Sequence, residues 1–102
     1  MQYILIFDAK SSTSFKEIQR EREEWIKEGR DKLFQKRCRS INRYEVLGIS
    51  PLKIFFVVDT DDPSVLNFIT YHFGDEWNVV SYPIIQREIY EVLEEDREII
   101  PG

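Results

Sequence analysis

The chain holds a single cysteine, Cys38, so no internal disulfide can form and a disulfide-built secreted scaffold is excluded. Its apolar start, Tyr3 to Phe7, is five residues long and is closed by Asp8. That is too short for a signal peptide or a membrane span, and the expectation is a cytoplasmic protein with no membrane partner. Positive charge is in deficit, with 14 Lys and Arg against 19 Asp and Glu, a net charge of −5 and a pI near 4.9. Duplex nucleic acid demands a basic surface to neutralise phosphates, so no nucleic-acid partner is expected. There is no glycine-rich phosphate loop, no Ser/His/Asp set, and no aromatic-plus-basic pattern of an RNA-recognition sheet.

Apolar material, by contrast, is ample. With 102 residues, 42% hydrophobic and 14% aromatic, the chain suits a single domain spanning 1–102 and exceeds slightly what one core needs. Charge is unevenly spread: residues 10–39 hold ten Lys/Arg against six Asp/Glu, and residues 75–98 hold two against eight. These segments read as two solvated faces, or as surfaces that attract one another within or between chains.

The pattern of elements is regular. Tyr3–Phe7, extended towards Ala9, is a strand with no polar position until Asp8. Ser11 to Ser14 offer caps, and Thr13 or Ser14 with Glu17 approximates a capping box. One long helix from about Ser14 to Arg37 is then expected, with Phe15, Ile18, Trp25, Ile26, Leu33 and Phe34 in one stripe and Gly29 permitting close approach to the sheet. Ser40–Gly48 alternates like an edge strand, and Lys53–Asp59 is an apolar strand. Asp62 as N-cap and Pro63 at the first turn open a helix buried through Val65, Leu66, Ile69 and Phe73 and stopped by Gly74. Trp77 to about Ile85 is a strand that Pro83 confines to an edge. Ile85, Ile89, Val92 and Leu93 mark an acidic C-terminal helix over about 86–97.

The order βαββαβ with a terminal helix predicts an α+β, ferredoxin-like sandwich with a four-stranded antiparallel sheet in the order 4-1-3-2. Two helices cover one face of such a sheet. Both central strands are nevertheless apolar on both faces, which predicts a homodimer through the sheet. The residues expected at that interface are Ile4, Ile6, Ile54, Phe56 and Val58. The competing arrangement folds the C-terminal helix across the open face within one chain.

Element order, double-sided central strands and acidic tail resemble the dimeric α/β-barrel superfamily of ferredoxin-like proteins. Over residues 46–95 the chain is similar to a family of short prokaryotic proteins of unknown function. That likeness is carried by Phe56-Val57-Val58-Asp59-Thr60-Asp61-Asp62-Pro63 with Leu66 after it, and by Trp77-Asn78-Val79-Val80-Ser81-Tyr82-Pro83-Ile84-Ile85. The superfamily includes cofactor-free monooxygenases and decyclising enzymes, haem-degrading enzymes and effector domains of transcription regulators. The resemblance therefore implies a fold and no single activity.

Candidate chemistry is thin. His72, the only histidine, and Tyr44 are the weak catalytic candidates. No ligand stands at metal spacing beside His72, and its place near a helix C-terminus suits the helix dipole. Asp59, Asp61 and Asp62 cluster like cation ligands but lack a binding loop, so no metal is expected. Cys38, among Lys36, Arg37 and Arg39, reads as a passive thiol, because a helix C-terminus opposes a thiolate. Tyr3, Phe7, Trp25, Tyr44, Phe55 and Trp77 are the candidates for an aromatic ligand pocket, and equally for an ordinary core. The leading expectation is a non-enzymatic homodimer that binds a small ligand or a partner, with no cofactor. A cofactor-free monooxygenase acting on a small aromatic or quinone-like substrate, and an effector-type regulatory domain, are the alternatives.

Overall fold

The computed structural model describes residues 1–100; the last two residues of the single domain expected over 1–102 lie outside them. The elements in chain order are β1 (Gln2–Ala9), α1 (Phe15–Lys27), α2 (Arg30–Lys36), β2 (Ser40–Glu45), β3 (Lys53–Asp59), α3 (Ser64–Phe73), β4 (Trp77–Ile84) and α4 (Ile89–Ile99). The sheet is antiparallel throughout and runs β2-β3-β1-β4, the expected order read from its other edge. The two uniformly apolar strands occupy the centre, where side chains meet neighbours on both sides.

Period-two alternation divides each strand between two faces. Leu5, Phe7 and Ala9 of β1 are buried under the helices, and the register sets them opposite Phe56 and Ile54 of β3 and Ser81, Val79 and Trp77 of β4. With Val58, Ile18, Phe34, Val65 and Ile69 these residues form the core. Ile4 and Ile6 point to the other face, opposite Val57 and Phe55. The five residues expected at the dimer interface therefore do not share a face. Ile54, Phe56 and Val58 belong to the helix-covered side, and the partners of Ile4 and Ile6 on the open side are Phe55, Val57, Val80 and Tyr82.

The first helix is broken where one long helix was expected. Ser14 caps α1 by accepting from the Glu17 amide at 3.2 Å, and α1 ends at Lys27. Gly29 then takes a left-handed conformation, φ 73°, and caps α2. A Cβ at Gly29 would meet nothing within 4 Å, so its use is backbone conformation and not close approach. The break disperses the predicted stripe. Ile18, Trp25 and Phe34 turn inward, while Phe15 and Ile26 remain exposed. Asp62 holds the start of α3, accepting from the Ser64 amide at 3.1 Å and the Ser64 hydroxyl at 2.5 Å. Gly74 does end α3, though in a right-handed conformation; a Cβ there would fall 2.7 Å from the Thr70 carbonyl.

None of the residues of α4 is buried. The molecule measures 54 × 30 × 19 Å with a radius of gyration of 16.8 Å, against about 13 Å for a compact domain of this length. The terminal helix thus projects from the body, and the described residues leave the open sheet face uncovered.

Candidate functional site

The helix layer does not close over the whole sheet. At the β2 edge the inward positions are Ile41, Arg43 and Glu45, set by their register with Val58, Phe56 and Ile54. Apolar side chains there would complete a core; two charged ones do not. The kink at Gly29 carries α2 over this edge, and a cavity of about 490 Å³ remains between α1, α2, α3 and the sheet. Its walls are five aromatic rings, Phe7, Trp25, Phe34, Phe56 and Phe73, with Ile26, Ile41, Ile54 and Ile69. Arg22, Asp31, Gln35, Arg43 and Glu45 supply its polar part. Both size and lining fall in the range of small-molecule sites, about 300–1,000 Å³ and mostly apolar.

The rings are held by one another. Trp25 packs on Phe34, Phe68 and Phe73 with centroids 5.9, 5.4 and 5.2 Å away, and Phe7 on Phe56 at 5.3 Å. Such tilted contacts are favourable for aromatic quadrupoles and fix the walls.

The polar groups are incompletely paired. Glu45 lies between two guanidiniums, 3.9 Å from Arg22 Nη2 and 3.6 Å from Arg43 Nη1, both beyond hydrogen-bond range. Arg22 Nη2 and Asp31 Oδ1 are each buried without a hydrogen-bond partner. Burial and then the nearby Arg43 cation hold the Arg22 guanidinium below its ordinary pKa, against the pull of Glu45.

Of the six expected pocket residues, the structure brings together only Phe7 and Trp25 in this cavity. Trp77 is buried in the core next to Phe7, with ring centroids 6.0 Å apart, and does not line it. Tyr3 sits on the covered face opposite Pro83, towards the other edge. Tyr44 and Phe55 are paired on the open face. Alternation separates Tyr44 from Arg43 and Glu45, whose charge on an edge strand reads as solvent-facing in the sequence. The inward register of β2 is set by Ile41, which packs against the core.

His72 is a strut. Its Nδ1 lies 2.6 Å from Arg30 Nη1 and accepts, and its Nε2 donates to the Glu21 carbonyl at 3.0 Å. The ring packs edge-on against Phe73 and tilted against Trp25, with centroids 4.6 and 5.0 Å away, outside the cavity lining. It ties α1, α2 and α3 together. Beside it Glu21 is buried, with Oε1 unpartnered, and its carboxyl is pushed up to about 8 by burial first and then by Glu76 and Asp75.

The aspartates are committed elsewhere. Arg39 bonds Asp59 at 2.9 Å and also Asp61, which holds both carboxyls below the usual range. Among the described residues no group of three or more His, Cys, Asp or Glu is arranged to hold a metal ion. Burial pushes the Cys38 thiol up.

No family model matches the sequence, and no curated protein matches it significantly. Solved structures do match. The Arabidopsis thaliana protein At3g17210 aligns over 86% of this chain and 98% of its own, at 12% identity and TM-score 0.46. A candidate antibiotic biosynthesis monooxygenase from Deinococcus radiodurans aligns over 86% of this chain and 96% of its own, at 10% identity and TM-score 0.50. The chain has the ferredoxin-like fold of that monooxygenase-type structure, and at such identity the likeness extends to the fold alone.

Proposed function

We propose that this chain is a small-molecule-binding protein that works as a homodimer, its ligand held in the cavity between the kinked helices and the β2 edge of the sheet. The observation that carries this reading is a cavity of about 490 Å³ where a chain of this size would ordinarily place core. Five rings around the cavity would bury a flat apolar ligand, at roughly 25 cal/mol for each Å² removed from water. The dimer reading rests on the open face. Ile4, Ile6, Phe55, Val57, Val80 and Tyr82 form an apolar surface there that neither α4 nor the other helices cover.

Trp25 lies in the wall and Trp77 outside it, so a Trp77→Phe variant leaves one reporter in the cavity. A panel of neutral and charged aromatic molecules should change Trp25 emission and raise the melting temperature. If no member of the panel does either, the cavity is a packing defect and the reading fails.

A second reading, cofactor-free oxygenation of an aromatic substrate, draws on the same aromatic cavity and on the Deinococcus protein's description as a candidate monooxygenase. Oxygen uptake with a bound hydroquinone, abolished by Trp25→Ala, would support it. Binding without any turnover would leave the non-enzymatic reading.

A further inference from the structure

The cavity carries more information than its size, because two buried polar atoms in its lining residues have no hydrogen-bond partner among the described residues. Arg22 Nη2 is a donor and Asp31 Oδ1 an acceptor, and both lack a hydrogen bond. An unpaired buried polar group costs about 1–3 kcal/mol, more when it is charged. A bound molecule that supplies the missing partners would recover that cost. The groups come from different elements, Arg22 from α1 and Asp31 from α2, and so would engage separate points of a ligand.

The surrounding charge decides which kind of molecule fits. Arg22 and Arg43 approach one carboxylate, Glu45, and neither reaches bonding distance to it. That corner sets two guanidiniums around one carboxylate, while the other carboxylate of the lining, Asp31, stands on α2. An anionic oxygen group placed there would accept from Arg22 Nη2 and be held by Arg43, in the charge-assisted geometry that guanidinium favours. Asp31, as a carboxylate, can only accept, so it calls for a hydroxyl or N–H on the ligand. Between these points the walls are Trp25, Phe56 and Phe73.

We infer that the cavity selects an amphipathic organic acid: an apolar, aromatic body with a carboxylate held at Arg22 and Arg43 and a hydrogen-bond donor met by Asp31. The inference rests on the ligand-binding reading above and specifies the chemistry of that site. Inward charge on an edge strand also discourages edge-to-edge aggregation. That role would account for Arg43 and Glu45 but not for unpaired atoms on α1 and α2.

The test is isothermal titration calorimetry of four probes: a hydroxynaphthoate, its methyl ester, naphthoate and naphthol. The hydroxynaphthoate should bind at least about tenfold more tightly than its ester, the scale of a hydrogen bond to a charged group. Arg22→Met should abolish that preference, read as the ratio of acid to ester affinity in the same variant. Asp31→Ala should remove the preference for hydroxynaphthoate over naphthoate and leave the preference for acid over ester. Should Arg22→Met not fold, Arg43→Met on the partly exposed edge strand poses the same question. Equal binding of acid and ester to the native protein, or an unaltered preference in the arginine variants, would overturn the inference. Binding of naphthol and ester alone would leave the cavity reading standing, whereas binding of none of the four would remove both.

Discussion

At the residue scale, single groups carry conflicts that the fold must absorb. Glu21 faces Glu76 and Asp75 from a buried site, with Arg20 the only opposing charge among the causes of its shift. Its carboxyl titrates near 8 in the folded chain, against an ordinary value of 4.5. The folded state therefore binds more protons than the unfolded state between these values, and stability falls as pH rises through that window. Denaturant titrations should show a protein more stable at pH 5 than at pH 8, with a slope of at most about 1.4 kcal/mol per pH unit from this one proton. Glu21→Gln should flatten the slope and raise stability at the alkaline end. Asp59 and Asp61, depressed by Arg39, act with the opposite sign and lose their contribution only in acid, below the usual carboxylate range. Leu5 is fully buried at the centre of the sheet, and Leu5→Ala should cost about 2–5 kcal/mol in the same assay.

At the element scale, the break between α1 and α2 shapes the site. Gly29 adopts a left-handed conformation that other residues reach at a cost of roughly 1–2 kcal/mol. Gly29→Ala should lower stability by about 1 kcal/mol, and Gly29→Asn by less, since asparagine tolerates that conformation better. The open space around its Cβ position means that the loss reports backbone strain and not a clash. The unburied helix α4 allows the contrary experiment. Truncation before α4 should leave the unfolding free energy of the sheet–helix body within about 0.5 kcal/mol, measured on a monomeric background, and shorten the particle in small-angle scattering.

At the scale of the whole molecule, the sheet has one face covered by its own helices and one apolar face without such cover. Val57 sits in the middle of that face, between Ile4 of β1 and Asn42 of β2. Val57→Asp would bury an unpaired charge in a two-fold sheet–sheet contact through this face. Sedimentation velocity should show a dimer for the native chain and a monomer for this variant, with the circular dichroism of both unchanged. A native monomer at micromolar concentration would remove the dimer proposal without touching the cavity.

The fold itself was legible in the chain. Uniformly apolar runs such as Tyr3–Phe7 and Ile54–Val58 belong in the centre of a sheet because only central strands have neighbours on both sides, and Asp62-Pro63 announces a helix start by local capping chemistry. What local pattern could not assign was which face each central residue takes. A strand apolar on both sides has no alternation to read, so only the register separates Ile54, Phe56 and Val58 from Ile4 and Ile6. The site was hidden for a related reason. Arg22, Asp31, Arg43 and Glu45 look like ordinary surface charges in sequence, and their convergence on one cavity is decided by the packing of α1, α2 and β2. Sequence by itself determined the strands and their order in the sheet, because those follow from local propensity and burial. The cavity, its unpaired donor and acceptor, and the bare face of the sheet were decided only in the tertiary structure, where a glycine kink and an edge strand leave the core unfinished.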